Sequence, residues 1–114
     1  MSLYASGIIR IISEPRLKAF DSGTMVCNFG GGIQEGKDKN GEYINNAIDV
    51  EAWGKTAEII TDKLRKGDSI FVSGNLRMQE WQDRDSGTKR RKHVLSVQRF
   101  EFLPRTKADD EAVF

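Results

Sequence analysis

The chain has 114 residues, 38% of them hydrophobic, with 18 basic against 17 acidic side chains and a net charge of +1. That size allows one domain with a modest core. No apolar run nears the ~20 residues a membrane span needs, and Arg10 breaks the short apolar stretch near the start, so no signal-peptide pattern is found. A single cysteine, Cys27, excludes an internal disulfide and points to a reducing cytoplasm.

Residues 4–13 are rich in β-branched side chains and read as a first strand, closed at Glu14-Pro15, where proline removes a ladder donor. Arg16 to Phe20 continue it after a bend, and Asp21-Ser22-Gly23 has turn composition. Strand character resumes from Thr24 to Phe29, with Met25, Cys27 and Phe29 on one face and Val26 and Asn28 on the other; alternation alone leaves open which faces inward. Cys27 reads as a small core filler, because no histidine stands near it in sequence. Gly30-Gly31-Gly32 is too soft for a strand centre and marks a bulge or a close backbone approach, by a ligand or a neighbouring chain. Asn40-Gly41, inside Lys37-Asp38-Lys39-Asn40-Gly41, is a hairpin signal leading through Tyr43 into a third strand.

From Ile48 to Trp53 the apolar Ile48, Val50 and Ala52 alternate with Asp49, Glu51 and Trp53, so period two places Trp53 with the charges on a wet face. Lys55 to Lys66 then puts Ala57, Ile60 and Leu64 on one helical face, with Thr56 as the expected cap and Gly67 as the expected end. From Ile70 to Trp81, Ile70, Val72, Leu76 and Met78 share one side, with Gly74 where the strand can bend; Arg77 and Trp81 fall on the opposite, polar side. Asp83 to Gly87 form a polar hairpin tip. Thr88 to Leu103 return as a last strand, where Leu95 and Val97 lie on one side and Phe100 and Phe102 on the other, so either the strand kinks near Gln98 or one pair meets an interface. One short helix between strands three and four of an otherwise all-β chain matches a five-stranded OB-fold barrel.

Two tryptophans on wet faces each forgo roughly 1.5–3 kcal/mol of burial. Bases have flat π-faces, so a stacking platform for a single strand accounts for both indoles, with Arg77 beside Trp81 placed for a phosphate. The run Lys89-Arg90-Arg91-Lys92-His93 contains no acid and reads as a phosphate track; Lys37 and Lys39 at a hairpin tip and Lys55 after the Trp53-Gly54 corner are further cationic candidates. Catalysis finds no support. His93 sits in the basic run, Gly54-Lys55-Thr56 lacks the upstream glycine of a phosphate loop, and no nucleophile–base or metal-ligand spacing occurs, so neither cofactor nor metal is expected.

These residues resemble the bacterial single-stranded DNA-binding proteins. The resemblance runs from Ser6-Gly7-Ile8-Ile9 to Leu103 and is densest over Val50 to Lys55, Leu64 to Gly67, Val72 to Arg77, and Trp81. It implies an OB-fold over residues 1–103 that coats single-stranded DNA in replication, recombination and repair without much sequence preference, as a homotetramer or a dimer. Trp53 and Trp81 match two of the family's stacking positions; Ala47 and Gly36-Lys37 stand where others are aromatic, and Asp49 stands where a basic residue is common. The end of the chain, residues 104–114, resembles the family's acidic terminal peptide. Asp109, Asp110, Glu111 and Phe114 match its acids and final phenylalanine, which dock replication and repair proteins. The missing aromatics leave room for a different role, a primosome-type adaptor that works mainly through protein contacts.

Overall fold

The computed structural model describes residues 2–104. Six strands and one helix follow in the order β1 (Leu3–Ile11), β2 (Arg16–Ala19), β3 (Met25–Lys37), β4 (Tyr43–Trp53), α1 (Gly54–Lys63), β5 (Ser69–Gln82) and β6 (Lys89–Phe102). They form one sheet, β1-β5-β6-β4-β3-β2, and a β1–β3 pairing at Arg10↔Gly32 and Ile11↔Gly31 closes it into a ring. β1 and β2 are the two halves of the expected first strand, interrupted at Glu14-Pro15, and the helix lies between the expected third and fourth.

Inside the ring, Ile9, Ile11, Cys27, Phe29, Val50, Ala52, Ile70, Val72 and Leu95 pack with Ala57, Ile60 and Leu64 of the helix. The face left open by alternation is settled: Cys27 and Phe29 point inward. Burial pushes the Cys27 thiol up from its ordinary range, against the opposing pull of hydrogen bonding by Thr61 and the Arg16 backbone. The glycine run is explained by the closure. A Cβ on Gly31 would stand 2.8 Å from Ile9 Cδ1 and 3.0 Å from Val50 Cγ2, so the close approach is made by this chain's own first strand.

The helix differs from its expected bounds. It ends at Lys63 rather than Lys66, and its N-cap is Trp53, with no side-chain cap bond, rather than Thr56. Leu64 turns extended, the Arg65 backbone N–H donates to Asp68 Oδ2 at 2.8 Å, and the Arg65 guanidinium donates to the Thr61 and Leu64 carbonyls at 3.0 and 2.8 Å. Those bonds satisfy the last turn before the chain reaches Gly67. Gly67 instead donates to the Ile11 carbonyl at 2.7 Å, tying the loop to β1.

β6 kinks as one reading of its pattern required. The register passes from Ser73↔Arg99 to Gly74↔Val97, leaving Gln98 unmatched. One extra residue flips the alternation, so Leu95 and Val97 face the core and Phe100 does too, opposite Val72. Gly74 is what makes room, because a Cβ there would lie 1.9 Å from the Ser96 carbonyl oxygen.

Candidate nucleic-acid interface

The outward face of β4 carries Asp49, Glu51 and Trp53, and the registers align it with Val94 and Ser96 of β6 and with Asn28 and Gly30 of β3. Cross-strand partners point the same way, so Arg77, Gln79 and Trp81 of β5 join that surface through their partners Val94, Lys92 and Arg90. Both indoles are exposed, Trp53 at 42% and Trp81 at 47%. Trp81 pairs with Arg90 and Asp49 with Val94, which puts the indoles eight strand positions apart, roughly 26 Å at ~3.3 Å per residue before curvature.

Each indole has company that one-dimensional reading missed. Phe20 stacks on Trp53, ring centres 6.1 Å apart and planes within 14°, and Lys18 Nζ lies 5.2 Å from the Phe20 ring centre. Lys92 Nζ lies 5.9 Å from the Trp81 ring centre. Tyr43 is also exposed; it pairs with Lys37, whose Nζ sits 5.0 Å from its ring centre, so an aromatic stands across from Gly36-Lys37 after all. The available signal was the position of Phe20 and Tyr43 beside turns, where a large ring has little core to enter.

Glu51 overturns its expected wet position. It is 4% exposed, and Arg77 Nε donates to its Oε1 at 2.8 Å while the Nη2 of the same guanidinium meets the same oxygen. Alternation predicted the direction of the side chain but not the neighbours that cover it. Asp49 lies 3.5 Å from Lys92 Nζ, and both line a cavity of about 390 Å³ with Asn28, Glu51, Gln79 and Val94. On the other flank the same Asp49 and Lys92 border a more open hollow over Ile33, Ala47 and Leu76.

The basic run is divided. Beyond Leu76, β5 pairs only with β6, and the two strands project as a ribbon with two open faces. Arg90 and Lys92 share the face of Trp81; Lys89 and Arg91 take the opposite face, where Arg91 meets Glu80 at 3.6 Å. Arg90 lies 3.4 Å from Asp83, and Lys55 lies 3.8 Å from Glu58. Lys39 stands at the hairpin tip, where Asp38 Oδ1 accepts from the backbone N–H groups of Asn40 and Glu42 at 2.8 and 3.0 Å. Arg16 and Lys18, partners of Asn28 and Val26, add two cations to the interface that the sequence reading passed over. Asp109, Asp110, Glu111 and Phe114 lie outside the described residues.

Residues 8–103 match the model of the single-strand binding protein family. The chain belongs to that family. It is 38% identical over 99 residues to single-stranded DNA-binding protein 1 of Synechocystis, covering 87% of this chain and 81% of that one. It is 37% identical over 98 residues to the single-stranded DNA-binding protein of Borreliella burgdorferi, covering 84% and 64%. In structure it resembles the small single-stranded DNA-binding protein of Streptomyces coelicolor with a TM-score of 0.74, covering 90% of this chain and 95% of that one at 13% identity, a likeness of fold. No helix among the described residues is long and apolar enough to cross a membrane.

Proposed function

We propose that this member of the family binds single-stranded DNA along the surface between Trp53 and Trp81, coating and protecting it during replication, recombination and repair. One observation carries the reading: two exposed indoles stand at opposite ends of one sheet face, with polar and charged side chains between them. Bases stack on Trp53 with Phe20 and on Trp81, while Arg77, Arg90, Lys92 and Lys37 reach phosphates; Lys39, Lys55, Lys89 and Arg91 act at longer range. The role is binding, without catalysis, in the bacterial cytoplasm at the nucleoid.

A homo-oligomer, tetramer before dimer, is part of the same proposal. β1 is the outer strand of the sheet from Leu3 to Ile9, and its own Tyr4 and Ile8 are exposed at 59% and 61%. An unpaired edge with apolar neighbours favours a second copy. The acidic end, Asp109 to Phe114, docks replication and repair proteins through an aromatic anchor behind carboxylates.

The adaptor reading draws on a specific feature: Arg77, Lys55, Arg90, Arg91 and Lys92 each already face a carboxylate, which weakens their attraction for phosphate. Anisotropy of a labelled oligo-dT at two salt concentrations separates the two. Direct binding requires saturable, salt-sensitive association that Trp81→Ala weakens by about tenfold, in the ~1–3 kcal/mol range of one stacked base. Equal affinity of Trp81→Ala and the parent chain refutes the platform.

A further inference from the structure

Before Asp49, β4 has no pairing with β6 and is bonded only to β3, so the segment from Tyr43 to Ile48 belongs to a second arm, separate from the β5–β6 ribbon. Alternation carries Tyr43 onto the face of Asp49 and Trp53, and the bulge between Gln34 and Lys37 lies on β3, which leaves β4 in step. The Tyr43 ring is 54% exposed. It is not what holds the hairpin tip together. There the Asp38 N–H donates to the Glu42 carbonyl at 2.8 Å, the Gly41 N–H donates to the Asp38 carbonyl at 3.0 Å, and Asp38 Oδ1 accepts from the Asn40 N–H at 2.8 Å. A large ring left wet on a tip that is already fixed forgoes burial for no structural return.

The second observation is the lysine beside it. Lys37 Nζ lies 5.0 Å from the Tyr43 ring centre, as Lys18 and Lys92 lie 5.2 and 5.9 Å from the rings of Phe20 and Trp81 at the two ends of the platform. Arg77, Arg90 and Lys92 each face an acid, whereas Lys37, like Lys18, has no carboxylate partner among the described residues. Its charge is uncompensated, so it attracts a phosphate more strongly than the paired cations do. A flat ring with an unpaired ammonium next to it fits one nucleotide, base on the ring and phosphate on the lysine. We propose that Tyr43 is a third stacking station, with Lys37 as its phosphate contact, and that the bound strand extends onto the β3–β4 arm. Tyr43 stands ten positions from Trp53 along β4, roughly 33 Å at ~3.3 Å per residue, so the station is reached by a strand that runs well past Trp53. This inference rests on the single-strand reading and extends it to residues outside the surface between the two indoles.

The test measures anisotropy of a labelled oligo-dT of about 16 nucleotides, the upper end of the range for one OB fold, across a salt series. The proteins are the parent chain, Tyr43→Phe, Tyr43→Leu, Tyr43→Ala and Lys37→Ala. Tyr43→Ala and Tyr43→Leu should each weaken binding about fivefold, because neither offers a π-face, while Tyr43→Phe should match the parent. Lys37→Ala should lower the slope of log affinity against log salt by roughly 0.7, one single-strand phosphate. Thermal unfolding of the same variants should give parent-like midpoints, since the ring is exposed and the tip is held by other bonds. Parent-like binding by Tyr43→Ala, or by Tyr43→Leu, overturns the third station and leaves the platform of Trp53 and Trp81 intact. Tyr43→Phe as weak as Tyr43→Ala overturns it too, because the hydroxyl and not the ring would then be the contact. A parent chain that does not bind the oligonucleotide overturns both this station and the single-strand reading.

Discussion

Arg77 reaches past β6 to the buried carboxylate of Glu51, and both Nε and Nη2 of its guanidinium meet one oxygen, Oε1. The pair ties β5 to β4 across the intervening β6 while sitting inside the candidate interface, so Arg77 serves the fold before it serves a ligand. Arg77 is itself about half exposed, which makes the arrangement asymmetric: the cost of losing it falls on the acid it leaves behind.

Arg77→Ala should therefore lower stability by about 2 kcal/mol, the scale for stranding a buried acceptor. The double variant Arg77→Met with Glu51→Leu should recover much of that loss, because a buried ion pair and an apolar pair of similar volume are often equivalent. Urea unfolding of the single and double variants checks both, and a double variant as unstable as the single one contradicts the account.

The ribbon of β5 and β6 predicts a split within the basic run. Arg90→Ala and Lys92→Ala should each lower the slope of log affinity against log salt by roughly 0.7, the single-strand value per phosphate. Arg91→Ala, on the far face beside Glu80, should leave the slope nearly unchanged. Titrations across a salt series measure all of these.

Phe20 and Trp53 should behave as one platform. Phe20→Ala should alter Trp53 fluorescence and weaken oligonucleotide binding severalfold with only a small loss of stability, since the stack itself contributes about 0.5–1.5 kcal/mol. A double-mutant cycle with Trp53→Ala should show that the two effects on binding are not additive, because each ring supports the other.

Gly74→Ala should prevent the native register, since its Cβ meets the Ser96 carbonyl at 1.9 Å and neither backbone can yield cheaply. Gly7→Ala is the matched control: no atom lies within 4 Å of its new methyl, and stability should change by less than about 1 kcal/mol. Thermal unfolding distinguishes them.

Cys27 should be slow to react with a thiol reagent at pH 8. Its side chain is sealed in the core, and burial raises its pKa, so the thiolate fraction falls below that of a free cysteine. Reaction should accelerate sharply once urea unfolds the chain; fast labelling of the native protein would contradict the inward placement of β3.

The order of strands, the single helix and the outward direction of Trp53 and Trp81 were legible from the sequence, because period-two alternation is a local property that strand geometry enforces residue by residue. The same patterning showed the conflict between Leu95-Val97 and Phe100-Phe102 and located it near Gln98. Which remedy the chain uses was decided by Gly74, a residue on another strand, through a contact between backbones. The burial of Glu51, the Phe20–Trp53 stack and the division of Lys89 to Lys92 between two faces likewise depend on partners distant in sequence. Charge counted along a chain has no sidedness; only the closed and extended sheet assigns each cation a face and a neighbouring acid.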